Sequence, residues 1–206
     1  AVTGNTRKYA ASLEKINKVI DARPGEIMFG LNMVVNKGKT VFIGDTSVHE
    51  HPTAEQLTEI AISSARVVRL FGFNPKVAFV SHSTFGQPAT SSTKHIRDAV
   101  EILQDKKVDF QFDGDMQPDV ALNEEYKELY PFSGIVGNAN ILIMPGQHSA
   151  AISYKMMKSL GGAKVIGPLL IGLGQPIEIA PLRSSTSDIL NLASVAAYSA
   201  GVINYG

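Results

Sequence analysis

The stretch Asn140-Ile-Leu-Ile-Met-Pro-Gly-Gln-His-Ser-Ala-Ala-Ile-Ser-Tyr-Lys155, with its continuation to Asp188, decides the fold. Ile141-Leu142-Ile143-Met144 is a short apolar run closed by Pro145-Gly146. A run of that length, bounded by a turn signal, reads as a buried strand. Residues 149–160 follow with Ile152, Met156 and Leu160 on one helical face. Gly161-Gly162 ends that helix, because glycine tolerates the left-handed C-cap. Residues 165–172 form a second apolar run, broken by Gly167-Pro168. Gln175-Pro176 and the polar loop 183–188 then open a last helix. Strand, helix, strand and a Gly- and Ser-rich loop make a crossover unit, which places ligands at the carboxyl ends of its strands.

The totals narrow the function classes. The chain has 206 residues, enough for one domain or two small ones with a real core. Its 19 Lys and Arg balance 19 Asp and Glu, so no broad charged surface invites nucleic acid or membrane. The absence of cysteine excludes disulfides, thiolate metal sites and Cys nucleophiles, and fits a reducing cytoplasm. No apolar run is long enough to span a bilayer, and no signal peptide is recognisable. The chain enters a helical pattern soon after Ala1, which fits an excised domain, a processed product or a tag-trimmed chain.

Working back from the deciding stretch, Tyr9, Leu13, Ile16 and Ile20 share one face of a helix stopped by Pro24-Gly25. Residues 27–35 and 40–43 are β-rich runs joined by Asn36-Lys-Gly-Lys39, a hairpin signal. An antiparallel pair therefore accompanies the mostly parallel sheet. His49 and His51 lie in a polar loop without further clustered ligands, so no metal site is assigned. Residues 53–71 form the clearest helix, with a Thr53/Gln56 capping box and Leu57, Ile60, Ser64, Val68 and Phe71 inward. Residues 77–80 form a buried strand. It leads into the hydroxyl- and glycine-rich loop Ser81-His-Ser-Thr-Phe-Gly86, which either binds an anion through hydroxyls and free N–H groups or is a capped, solvated loop.

The next helix buries Ile96, Ala99, Val100 and Leu103, with His95 on it partly buried or solvated. Residues 109–112 read as a strand delivering Asp113-Gly-Asp-Met-Gln117. Asp113 and Asp115 suit either acid–base work or turn shaping, with Asp119 capping a following helix. Gln117 is the ligand-facing residue of that segment. Met156 and Met157 read as packing residues. The chain carries no P-loop, no G-x-G-x-x-G after a strand and no G-x-S-x-G elbow.

Several of these motifs together resemble the phosphate acetyl/butyryltransferase family. They are Asn140-Ile-Leu-Ile-Met-Pro, Ile152-Ser-Tyr-Lys155, Gly161-Gly, Ile166-Gly-Pro168, Gln175-Pro176, Asp113-Gly-Asp-Met-Gln-Pro-Asp-Val-Ala121, Pro52-Thr-Ala-Glu-Gln-Leu57 and Ser81-His-Ser-Thr-Phe-Gly86. The wording is most similar to the transacetylase-like domain at the C-terminus of bacterial NADP-dependent malic enzymes. That resemblance implies a three-layer αβα fold with a mostly parallel sheet and an antiparallel hairpin. It implies that residues 1–180 form the second of two subdomains, and that residues 181–206 return to the first.

The family moves an acetyl group between coenzyme A and phosphate, in a cleft between its subdomains. Its Ser-Arg pair falls on Pro181 and Leu182 here, while its Asp falls on Asp188. Proline has no N–H donor and leucine no charge, so loss of catalysis is expected; a positioned charged donor is worth on the order of several kcal/mol in such transition states. Asp188 also fits a capping box with Ser185. The ligand residues implied are Ser81, Ser83, Gly86, Gln117, Lys155, Gly167, Pro168, Gln175, Pro176 and Arg183. Lys155 and Arg183 are the side chains expected to meet phosphates, with a plain solvated lysine as the alternative for Lys155. The expected role is an acetyl-CoA-sensing and oligomerisation module, a two-fold dimer in its simplest form. NADP and a divalent metal would belong to a separate N-terminal malic enzyme domain. The competing readings are a truncated active phosphate acetyltransferase and a purely structural domain.

Overall fold

A computed structural model describes residues 1–88 and 90–205, without the side chains of Lys127 and of residues 202–205. Ala89, in the loop opened by Ser81, and Gly206 lie outside the described residues. The main sheet has six strands: β2 (Phe29–Asn36), β3 (Lys39–Gly44), β4 (Lys76–Val80), β5 (Gln111–Met116), β6 (Ile141–Ile143) and β7 (Lys164–Ile171). Their spatial order is β5-β4-β6-β3-β2-β7. β5, β4, β6 and β3 run parallel, while β2 is antiparallel to both neighbours, β3 and β7. The hairpin read from Asn36-Lys-Gly-Lys39 is the β2–β3 turn.

The central strands alternate between two cores, as side chains must on a pleated strand. Val77, Phe79, Ile141 and Ile143 face a core built with α2 (Ala54–Leu70) and α3 (Lys94–Lys106). Ala78, Val80 and Leu142 face the opposite core, built with α4 (Pro118–Leu122) and α6 (Gln147–Ser159). Both faces are covered, so these strands read as unbroken apolar runs. The result is a three-layer α/β domain. α2 begins with the expected capping box: Gln56 N–H donates to Thr53 Oγ1 at 3.3 Å, and Thr53 N–H donates to Gln56 Oε1 at 2.9 Å. Leu57, Ile60, Ser64 and Val68 are buried along its inner face.

Other details differ from the sequence reading. β5 begins at Gln111 and runs through Asp113-Gly-Asp115, because pairing with β4 carries this polar segment into the sheet. Gly114 makes the close approach possible: at φ +156° a Cβ there would stand 2.7 Å from Phe79 Cβ. Asp119 does not cap α4. Gln117 is the N-cap residue, and Asp119 sits in the first turn. The Ile152/Met156/Leu160 face of α6 points outward, with Leu160 83% exposed. Met156 is therefore not a packing residue; Ala150, Tyr154 and Met157 turn inward instead. The short α5 (Glu124–Lys127) lies at the surface.

A second, two-stranded sheet was not visible in the sequence. β1 (Val2–Gly4) pairs in parallel with β8 (Glu178–Ala180). α1 (Tyr9–Asn17) and α7 (Thr186–Tyr205) pack against it and against the β7 edge of the main sheet. Glu178 ties the two sheets together. It is almost wholly buried, and its Oε2 accepts from Leu170 N–H at 2.9 Å.

Burial pushes Glu178 up to about 8, despite the opposing Leu170 bond and the Ala1 amine. A folded-state value above the unfolded value of 4.5 means that the folded chain holds the proton more tightly. The contribution is therefore complete below the unfolded value and is lost as pH rises to about 8. Glu178→Gln should flatten this loss. Denaturant unfolding well above pH 8 should find the variant gaining on wild type, relative to acidic pH, by up to about 5 kcal/mol. Parallel pH profiles for the two proteins would contradict the assignment.

Candidate functional site

The residues singled out in the sequence fall in three places. The first is a cleft of about 220 Å³ alongside β7. α6 supplies Tyr154, Lys155 and Lys158, and the first half of β7 supplies Gly167 and Pro168. The loop into α7 supplies Pro181, Leu182, Arg183 and Ser184, and α7 itself supplies Asp188 and Asn191. The cleft thus gathers Lys155, Gly167, Pro168 and Arg183, which the sequence placed in one crossover unit. It lies beside the edge strand and not at the strands' carboxyl ends. The reason is that β7 closes the sheet edge, leaving α6 and α7 as the two walls.

The electrostatics of the cleft are lopsided. Lys155, Lys158 and Arg183 stand against one acid, Asp188, which leaves two net positive charges by simple count. None of the three cations makes an ion pair among the described residues. Lys155 Nζ lies 5.8 Å from the Tyr154 ring centroid, and Arg183 sits in the left-handed region at φ +63°.

Asp188 is occupied locally. Its Oδ2 accepts from Ser185 N–H at 2.9 Å and from the Ser185 hydroxyl at 2.8 Å. Ser185 Oγ in turn accepts from Asp188 N–H at 3.2 Å, completing a capping box at the start of α7. The Ser185 backbone N–H first, then its hydroxyl, hold Asp188 below the usual carboxylate range, and Lys158 and Lys164 act in the same direction. This carboxylate is an anion fixed in a helix cap, poorly placed to take a proton. Pro181 offers only its carbonyl, which accepts from Ser184 N–H at 3.2 Å and from the Ser184 hydroxyl at 2.8 Å.

The second place is the loop after β4. Ser81, Ser83, Gly86 and Gln117 meet there, organised by Asp115, which is fully buried. Asp115 Oδ2 accepts from the hydroxyls of Ser81, at 3.2 Å, and Ser83. Its Oδ1 accepts from Gly86 N–H at 3.0 Å, and Arg97 Nη1 stands 3.6 Å from Oδ2. Both serine hydroxyls are turned inward on this carboxylate. Asp115 therefore shapes the loop, while Gln117 Nε2 donates to His82 carbonyl oxygen at 2.9 Å near the surface.

Sequence reading passed over a matching device after β3. Buried Asp45 accepts through Oδ1 from the N–H groups of Gly30, Ser47 and Val48 at 2.9, 2.8 and 3.1 Å. His49 Nδ1 lies 2.6 Å from Asp45 Oδ2, so this imidazole is held by its neighbour. Among the described residues no group of three or more His, Asp or Glu side chains gathers to hold a metal ion. An Asp followed directly by Thr-Ser at a strand end was the available signal.

The third place holds Gln175 and Pro176, which line a separate cavity between α2, α7 and the end of β7. The geometry thus separates the candidates into a cationic cleft, a carboxylate-organised loop and a second cavity. Lys158 in the cleft went unrecognised because nothing in a helical lysine's local sequence shows which neighbour it will face.

The comparisons place this geometry among known proteins. The family model described as phosphate acetyl/butaryl transferase matches residues 1–197. An NADP-dependent malic enzyme of Rhizobium meliloti is 46% identical over 200 residues, which is 97% of this chain and 26% of that protein. A phosphate acetyltransferase of Nitratidesulfovibrio vulgaris is 29% identical over 201 residues, 97% of this chain and 29% of that protein. The crystal structure of a phosphotransacetylase from Streptococcus pyogenes superposes with a TM-score of 0.92 at 30% identity, covering 98% of this chain and 62% of that one. The chain thus spans about a quarter of the length of the curated relatives it matches. With the family model covering nearly all of it, this chain belongs to the phosphate acetyl/butaryl transferase family.

Proposed function

We propose that the chain is the C-terminal, non-catalytic phosphotransacetylase-like domain of an NADP-dependent malic enzyme, and that it senses acetyl-CoA. The observation that carries this reading is the cleft between α6 and α7. It presents Lys155, Lys158 and Arg183 without ion-pair partners among the described residues, opposite an aspartate already held in a helix cap. Such a cleft suits a ligand bearing several phosphates, and lacks a free base to act on it. Pro181 and Leu182 stand where the family carries Ser and Arg. Neither supplies a donor for a phosphate or a developing oxyanion.

In this reading malate oxidation, NADP and the divalent metal belong to a separate N-terminal domain of a cytoplasmic enzyme. Residues 1–180 form the second transferase subdomain, and residues 181–206 return to the first. The outward Leu190 and Tyr198 of α7 support a covering partner on that side. Among the described residues no helix is long and apolar enough to cross a membrane. In this reading the cations supply the charge, while Ser81, Ser83, Gly86 and Gln117 in the loop after β4, and Gln175 and Pro176 in the second cavity, lie outside the cleft and take no part in binding. Binding regulates the distant chemistry only if affinity differs between two states of the assembly.

The domain also joins subunits in this reading. The outward face of α6 exposes Ile152, Met156 and Leu160, and a self-complementary pairing of that face gives a two-fold dimer. Light scattering of the Met156→Glu variant should show monomers where wild type shows dimers. A monomeric wild type would remove the oligomerisation role.

The regulatory claim is tested on the full-length enzyme. Lys155→Ala and Arg183→Ala should leave malate turnover without effector near wild type. Each should weaken inhibition by acetyl-CoA by about tenfold, the loss of one hydrogen bond to a charged group. The enzyme should make no acetyl phosphate from acetyl-CoA and phosphate above background. Turnover at ordinary rates would restore the alternative, an active phosphate acetyltransferase. An acetyl-CoA-insensitive wild type would leave only the structural role.

A further inference from the structure

The second cavity, at the other end of α7, has a chemistry of its own. Its volume is about 150 Å³, close to that of engineered protein cavities that hold a benzene ring. Val67, Leu170 and neighbouring aliphatic side chains form an apolar wall. Arg23, Glu26, Arg66 and Glu178 form a polar one. We infer that this cavity binds a small monocarboxylate whose apolar tail is a few carbons long. The inference does not rest on the acetyl-CoA reading, since the two cavities share no lining residue.

The charge count selects an anion. Arg66 Nη1 lies 2.7 Å from Glu26 Oε1, and Arg23 Nη1 lies 3.8 Å from the same oxygen. Two guanidinium groups against one carboxylate leave one positive charge, provided that Glu178 is neutral. Glu178 is nine-tenths buried and more, and its Oε2 is taken by Leu170 N–H. Its other oxygen has no hydrogen-bond partner among the described residues. A proton on that oxygen makes Glu178 a neutral donor on the cavity wall. Burial, which pushes its titration up to about 8, keeps it in that state at neutral pH.

A ligand carboxylate then accepts from the Glu178 hydroxyl and from a guanidinium, while its tail lies on the aliphatic wall. One net charge suits a monoanion better than a phosphate dianion. The charged or titratable groups around Glu178 are Arg23, Glu26 and Arg66 in the wall, Tyr9 on α1 and the Ala1 amine just before β1. Deprotonating Glu178 would set a negative charge beside the bound carboxylate. Affinity should therefore fall as pH rises through the Glu178 titration.

The test is to titrate sodium pentanoate into the 206-residue chain, following side-chain and amide chemical shifts. Wild type should bind at about pH 6.5 and lose at least about tenfold in affinity at about pH 9. Glu178→Gln keeps a donor and should bind with little dependence on pH over that range. Arg66→Gln should weaken binding by about tenfold at both pH values. Pentylamine, the cation of the same length, should not bind. Preferential binding of pentylamine overturns the inference, as does the absence of pentanoate-induced shifts at the cavity residues. A wild-type affinity that does not change with pH removes the role of Glu178. Pentanoate shifts confined to Lys155, Lys158 and Arg183 would move the anion to the other cleft and contradict the assignment.

Discussion

The antiparallel pairing of β2 with β7 is the constraint on which the rest depends. It pairs Phe29 with Ile171, Leu31 with Leu169 and Val34 with Val165, with an irregularity between Leu31 and Met33. That pairing fixes β7 as the sheet's edge and lays its two halves in different surroundings. The first half floors the cleft between α6 and α7. The second half reaches α2, β8 and the monocarboxylate cavity. The backbones of the two strands approach closely at Gly167. At φ +123° it adopts a backbone that side-chain-bearing residues rarely reach, and a Cβ there would stand 2.9 Å from Leu31 carbonyl oxygen. A larger residue would push β7 off β2 and move the cleft floor.

Four carboxylates show how one chemical group takes different parts in a small domain. Asp45 and Asp115 are buried acceptors that gather backbone N–H groups and hydroxyls, fixing the loops after β3 and β4. Asp188 caps a helix within the cationic cleft. Glu178 alone pairs a buried position with a raised titration and an oxygen without a hydrogen-bond partner among the described residues. A buried charge without full pairing is costly, so the group responds by keeping its proton. The first three are engaged in hydrogen bonds and have structural duties. The fourth is the one whose state changes near neutral pH.

Much of the fold was legible because its strands are buried on both faces. Residues 77–80 and 141–143 needed only a continuous apolar run between turn signals, and α2 advertised itself by its period and its Thr53/Gln56 box. β5 was cut short at its C-terminal end because Asp113-Gly-Asp115 looks like a turn until β4 is alongside to pair with it. β1 and β8 have three residues each, too few for a period to show. The outward face of α6 defeated the pattern in another way. Its apolar spacing is real, but spacing does not say whether the partner is the core or another molecule. In the cleft, Lys155, Gly167, Pro168 and Arg183 were found together because one crossover unit carries them all. Gln175 and Pro176, close to them in sequence, lie in the other cavity because β7 separates the two.

Hydrogen exchange on the full-length protein, with and without acetyl-CoA, tests the cationic-cleft account most directly. The account predicts slowed amide exchange at residues 154–158, 165–168 and 181–192 when acetyl-CoA is present. It also predicts little change around Arg66 and Glu178. Protection confined to other surfaces, or none at saturating acetyl-CoA, would contradict it.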